Sequence, residues 1–68
     1  IVSANEINEK NCEIVAHIFL VINKITRELG IDKSGYRIVN NCGEDGGQTV
    51  GHMHFHILAG RGLQWPPG

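Results

Sequence analysis

A chain of 68 residues has room for one domain at most, and a domain this small buries a smaller share of its surface than a typical one. Six lysines and arginines stand against seven aspartates and glutamates, and the net charge of −1 argues against a nucleic-acid or anionic-membrane surface, which needs clustered positive charge. The two cysteines, Cys12 and Cys42, match no zinc or redox spacing, so we expect a reducing, cytoplasmic compartment.

The first residues and the apolar runs bear on targeting and completeness. The chain opens on Ile1 and Val2 without a methionine, and the longest apolar run, Ile18 to Ile22, is too short to span a bilayer. Because the chain is also small, we expect a fragment of a longer chain or one half of an obligate assembly.

One long helix is predicted in the first half of the chain. Ser3 and Glu6 have the spacing of a capping box, and Asn8 or Asn11 offers a later start. Gly30 supplies the left-handed residue that commonly follows a helix. Apolar residues at helical spacing form one stripe between these limits: Ile14, Ile18, Ile22, Ile25 and Leu29, with Val15 and Phe19 at its edge.

The second half of the chain predicts two strands and a loop. Residues 36–40 are rich in aromatic and β-branched types, which favours a strand. Residues 41–49 contain three glycines with Asn and Asp, which are turn formers. The segment after this loop should return antiparallel to the first strand, and the prolines make residues 64–68 an extended tail.

Three of the four histidines occupy alternate positions in this returning segment. A strand sends successive side chains to opposite faces, so His52, His54 and His56 share one face and apolar residues fill the other. Three interpretations are open: tolerated polar residues on a half-exposed strand, a metal site, or nucleophilic catalysis by one imidazole beside another.

The loop before the histidines favours an anion site. Gly46 and Gly47 leave backbone N–H groups uncovered, which suits a phosphate, and Thr49 adds a hydroxyl. For the glycine pair alone a plain hairpin turn would be the better interpretation. Its position directly before the histidines favours a phosphate site.

The combined motifs resemble the histidine-triad (HIT) superfamily over essentially the whole chain. The alternating histidines followed by two apolar residues are typical of that family. The Gly-Gly-Gln sequence before the histidines and the Trp-Pro-Pro-Gly sequence after them are similar to its Hint branch, the purine nucleoside phosphoramidases. The residues that carry the resemblance are GGQTVGHMHFHIL at 46–58, Gly60, Arg61 and WPPG at 65–68.

The resemblance implies an α+β fold with one long helix packed on an antiparallel β-sheet. Residues 1–68 would form a single HIT-like domain that lacks its N-terminal part, which would supply further strands and most of the purine pocket. The implied function is hydrolysis of nucleoside phosphoramidates. The alternatives are a nucleoside polyphosphate hydrolase or transferase of the same superfamily, and a nucleotide- or metal-binding module without turnover.

The resemblance also implies roles for the histidines. His54 would be the nucleophile that attacks the α-phosphorus and forms a nucleotidyl-histidine, from which water would release AMP. His56 would contact the phosphate and assist proton transfer. His52 would orient His54, chiefly through its backbone carbonyl.

Further residues would complete the implied site. Asn41, Gln48 and the backbone of Gly47 and Thr49 would hold the phosphate, and the Thr49 hydroxyl would assist the leaving group. No metal ligand and no cofactor are expected. The expected partners are a purine nucleotide and a second copy of the chain, with no nucleic acid and no membrane.

Three residues carry structural expectations of their own. An unbroken strand would place Thr49 on the face opposite His54, so we predict a turn or bulge near Val50–Gly51. His17 should be a helix-surface or interface residue. Trp65 could cap the local core, whereas the resemblance implies that the tail crosses to a dimer partner.

Overall fold

The fold contains one helix and one small sheet. A computed structural model describes all residues 1–68: a 3-10 turn at Ala4–Glu6, helix α1 at Cys12–Glu28, strand β1 at Arg37–Val39 and strand β2 at His56–Leu58. The strands are antiparallel, which confirms the α+β prediction. The one α-helix lacks the length and apolar character needed to cross a membrane.

The capping-box residues close the 3-10 turn, and α1 begins at the later of the two alternative sites. Ser3 Oγ accepts a hydrogen bond from the Asn5 N–H at 3.2 Å, and a Glu6 carboxylate oxygen accepts from the Val2 N–H. Asn11 is the residue before α1, and its side chain accepts from the Asn8 N–H at 2.7 Å. These amides hold the turn that leads into α1.

The end of α1 lies where Gly30 predicted it. Gly30 has φ +72°, and its N–H donates to the Arg27 carbonyl at 3.1 Å. The next residue, Ile31, donates its N–H to the Thr26 carbonyl at 3.0 Å. This bonding pattern is the Schellman motif, which satisfies carbonyls that the last helical turn leaves open.

Helix α1 buries only the middle of its apolar stripe. Ile22 is 4% exposed and Thr26 is 1% exposed, whereas Ile14 and Leu29, at the two ends of the predicted stripe, are 47% and 68% exposed. Both ends of the stripe therefore lie outside the small core. A helix of 17 residues is ~25 Å long, and two strands of three residues each cover little more than its centre.

The sheet is shorter than the sequence predicted. Ile38 pairs with Ile57, and the ladder ends where Val39 pairs with His56. Beyond that pair the contact between the two segments is made by a side chain: Asn40 Nδ2 donates to the His54 carbonyl at 2.8 Å. His54 therefore lies outside the ladder and His52 lies in a bend, which corrects the prediction of a regular strand through all three histidines.

The apolar residues that alternate with the histidines point towards α1. Met53 is buried, and the Phe55 ring meets Phe19 of α1 edge to face, with ring centroids 6.4 Å apart. A groove of about 340 Å³ remains between the helix and this segment. His54 lines this groove together with residues of α1.

Candidate active site

The second and third histidines of the motif come together. The ring centroids of His54 and His56 lie 5.0 Å apart, with the ring planes at 75°. His52 is exposed, and its Nδ1 lies 3.1 Å from the carbonyl oxygen of Met53. Nowhere in the chain are three or more His, Cys, Asp or Glu side chains grouped so that they could hold a metal ion. The structure therefore brings together a pair of imidazoles with the backbone of the third histidine.

The His54 ring is held by the backbone two residues earlier. Its Nδ1 lies 2.8 Å from the His52 carbonyl oxygen, which can only accept a hydrogen bond. In this geometry Nδ1 carries the proton, and the neutral ring then has its lone pair on Nε2. The chain itself thus selects the tautomer in which Nε2 is available as a base or nucleophile.

Two further contacts fix the extended histidine segment. The Met53 N–H donates to the Ile1 carbonyl at 2.8 Å on one side, and Asn40 Nδ2 donates to the His54 carbonyl on the other. Asn40 was not among the predicted site residues. Its signal in the sequence was an amide at the end of the predicted strand 36–40, next to the predicted ligand Asn41.

The glycine-rich loop closes on itself through its own backbone. Gly43 and Gly47 have φ +73° and +77°. The Gly47 N–H donates to the Glu44 carbonyl and the Gln48 N–H to the Gly43 carbonyl, both at 3.0 Å. Of the two backbone N–H groups expected at a phosphate, that of Thr49 has no acceptor within the chain, whereas that of Gly47 already has one.

The two amide side chains expected at the phosphate brace this loop. Asn41 Nδ2 donates to the Gly46 carbonyl at 2.6 Å. Gln48 Oε1 accepts from the Gly43 N–H at 3.0 Å, and its Nε2 donates to the carbonyls of Val2 and Val50 at 2.6 and 3.0 Å. Both side chains therefore contact backbone groups of the protein.

The chain bends where the side-chain alternation requires it. Bends occur at Val50, Gly51 and His52, which confirms the predicted turn between Thr49 and the histidines. Thr49 is exposed, and its side chain makes no hydrogen bond within the chain. Its part at the leaving group stays a prediction.

The remaining histidine and the tail lie outside this cluster. His17 is exposed on α1, as predicted, and lines the apolar groove. Trp65 is 83% exposed, which contradicts the alternative in which it caps the local core. Arg37 Nη2 donates to the Gln64 carbonyl at 2.9 Å and ties the start of the tail to β1. The crossing of the tail to a partner stays a prediction.

Comparison with known proteins places this arrangement in a family. Residues 2–63 match the HIT domain. An uncharacterised HIT-like protein of Buchnera aphidicola is 44% identical over 62 residues, which cover 91% of this chain and 54% of that protein. The chain therefore spans little more than half the length of that relative.

Two solved structures have the same fold. A histidine triad protein from Clostridium difficile superposes with a TM-score of 0.90 at 53% identity, over 94% of this chain and 56% of the other. A HIT family hydrolase from Legionella pneumophila superposes with a TM-score of 0.95 at 40% identity, over 100% of this chain and 61% of the other. With its domain match and its relatives, the chain belongs to the HIT domain family.

Proposed function

We propose that this chain carries the catalytic histidines of a hydrolase of the Hint branch that cleaves purine nucleoside phosphoramidates. Membership of the HIT family and the similarity to a HIT family hydrolase support the hydrolase class. The GGQ lead-in and the WPPG end support the branch and the substrate.

The observation that carries the proposal is the contact between His54 Nδ1 and the His52 carbonyl. A histidine nucleophile must be neutral and must direct one unprotonated nitrogen at its target. The carbonyl at 2.8 Å holds the proton on Nδ1, so Nε2 needs no separate base before it attacks.

The reaction then has two steps. Nε2 of His54 forms a bond to the α-phosphorus while the bond from phosphorus to the amine nitrogen breaks, and that nitrogen leaves with an added proton. In the second step a water oxygen bonds to phosphorus, the bond to Nε2 breaks and AMP is released. One water is consumed for each amine and AMP formed.

His56 and the loop are suited to the charges that develop. The His56 ring is exposed and close to His54, so it can donate to a phosphoryl oxygen or move a proton. The free Thr49 N–H is a neutral donor for another oxygen. The Thr49 hydroxyl would deliver the proton to the leaving amine.

The proposed reaction needs a nucleotide ligand and a second copy of the chain. The nucleotide would be of the AMP type, and no cofactor is required for the two steps. A second copy of the chain would bring its Trp65 tail near this site, forming a homodimer, and the location would be cytoplasmic.

The test uses AMP–lysine and AMP–tryptamine with the full-length protein. His54→Ala should reduce AMP release by ~10³-fold or more, because the bond-forming atom is lost. His17→Ala is the matched control, since it removes an exposed histidine of α1, and it should keep activity. Acid-free mass spectrometry of the wild-type protein after rapid mixing should detect a nucleotidyl adduct that His54→Ala lacks.

Other outcomes identify the alternatives. Loss of activity with a chelator but not with His54→Ala would favour a metal site. Hydrolysis of a dinucleoside polyphosphate with no hydrolysis of either phosphoramidate would favour the other HIT activity. Binding of AMP without release from any substrate would leave a binding module and refute the proposed enzyme.

A further inference from the structure

We infer that Gln48 is a positioning residue that locks three parts of the chain together and does not bind the phosphate itself. The three parts are the chain start at Val2, the loop start at Gly43 and the entry to the histidine segment at Val50. The catalytic consequence rests on the proposed function, whereas the locking itself does not.

Gln48 makes four hydrogen bonds within the protein. Its backbone N–H donates to the Gly43 carbonyl, and its Oε1 accepts from the Gly43 N–H, both at 3.0 Å. Its Nε2 donates to the Val2 carbonyl at 2.6 Å and to the Val50 carbonyl at 3.0 Å. Both backbone groups of Gly43 are therefore bonded to this one residue.

Counting donors shows why Gln48 is unsuited to an anion. A phosphate needs hydrogen-bond donors, and a glutamine has one backbone N–H and two side-chain N–H hydrogens. All three are directed at carbonyl oxygens of the chain. Binding a phosphate through Gln48 would therefore require it to release at least one of these carbonyls.

The hydrogen bonds of Gln48 lie on both sides of Thr49, the residue whose backbone N–H has no acceptor within the chain. Thr49 lies directly between Gln48 and Val50, and both of these neighbours are held by the same amide. Val2 follows Ile1, whose carbonyl accepts from the Met53 N–H at 2.8 Å. The Gln48 amide therefore links the neighbourhood of the Thr49 N–H to the histidine segment in two ways. One is its bond to Val50, and the other is its bond to Val2, which is followed by the bond between Ile1 and Met53.

Two substitutions separate the hydrogen bond made by Gln48 Oε1 from those made by Gln48 Nε2. Gln48→Glu keeps an oxygen for the Gly43 N–H but places a second oxygen against the carbonyls of Val2 and Val50, which repel it. Gln48→Leu introduces a side chain of similar size that makes none of these hydrogen bonds. Asn23→Leu is the matched control, because Asn23 is an exposed amide of α1 whose side chain makes no hydrogen bond.

The measurements are kcat, the Kd of AMP and NMR spectra of the full-length variants. Gln48→Leu should lower kcat by ~10–100-fold, as expected when reacting groups are displaced by about 1 Å, and change the Kd of AMP by less than ~3-fold. Gln48→Glu should retain the Gly43 amide resonance while the Val50, Met53 and His54 resonances move. Asn23→Leu should change none of these.

Three results would overturn the inference. A fall in AMP affinity that matches the fall in kcat would make Gln48 a ligand. A lower melting temperature with unchanged kcat would make it a purely structural residue. If the wild-type protein releases no AMP, the proposed function fails by itself, and unmoved His54 ring resonances in Gln48→Glu would then refute the lock separately.

Discussion

Gly46 has no space for a side chain, and this predicts an unusually costly glycine-to-alanine substitution in the loop. A Cβ built on Gly46 would lie 2.4 Å from the carbonyl oxygen of Cys42 and 3.0 Å from its nitrogen. Both atoms belong to the backbone, so no rotation of a side chain can relieve the contact. Gly46→Ala therefore requires the loop backbone itself to move.

The size of the movement gives the magnitude. Ordinary contacts of a Cβ begin near 3.4 Å, so the Cβ and the Cys42 oxygen must separate by about 1 Å. Forcing a methyl group into an occupied space costs ~1–3 kcal/mol. The same shift would strain the bond from Asn41 Nδ2 to the Gly46 carbonyl, worth a further ~0.5–1.5 kcal/mol. We expect a total loss of ~1.5–4.5 kcal/mol.

Neighbouring glycines provide the matched comparisons. Gly47 has φ +77°, and a Cβ there would meet only Asn41 Nδ2, at an ordinary contact distance of 4.0 Å, so Gly47→Ala should cost only the ~1–2 kcal/mol of a left-handed residue. Gly47→Asn should recover part of this, because Asn tolerates that conformation, whereas Gly46→Asn should recover nothing. Gly51→Ala meets no atom within 4 Å and should change stability by less than ~0.5 kcal/mol.

The assay is urea unfolding of the full-length protein, with the free energy of unfolding obtained for each variant by linear extrapolation. The reasoning would be refuted if Gly46→Ala were as stable as Gly51→Ala. It would also be refuted if Asn rescued position 46 as well as position 47, because the cost at Gly46 would then be conformational and not steric.

Two further predictions concern the helix and the tail. Ile22→Ala should cost ~2–4 kcal/mol in the same unfolding assay, because Ile22 is 4% exposed. Leu20→Ala is the control, at a residue 67% exposed, and should cost less than ~1 kcal/mol. Equal losses would mean that α1 packs by another face. Arg37→Ala should speed hydrogen exchange around Gln64, because it removes the 2.9 Å bond that ties the tail to β1, while Trp65→Ala should leave stability within ~0.5 kcal/mol. Unchanged exchange in Arg37→Ala would show that the tail is held elsewhere.

The sequence predicted those elements that depend on local chemistry. The stop of α1 at Gly30 and the turn before the histidines follow from backbone preferences and side-chain alternation, and both are present. The two-residue period of His54 and His56 placed their rings on one face without reference to the rest of the fold.

Periodicity overestimated the length of the strand and left the burial of the helix open. It identified the apolar stripe of α1 but could not show how little sheet this chain offers to cover it. Likewise, it extended a strand through His52, whereas the ladder ends at His56 because Asn40 bonds to the His54 carbonyl through its side chain.

The sequence by itself determined the residue types of the site: alternating imidazoles, a loop of small residues and a hydroxyl beside them. Only the tertiary structure decided which atoms remain free to act. It directs Nδ1 of His54 at a carbonyl and leaves the Thr49 N–H open, while the donors of Gln48 are used within the chain. The reason is that hydrogen bonds between residues as distant as Val2 and Gln48 depend on three-dimensional proximity, which no local pattern encodes.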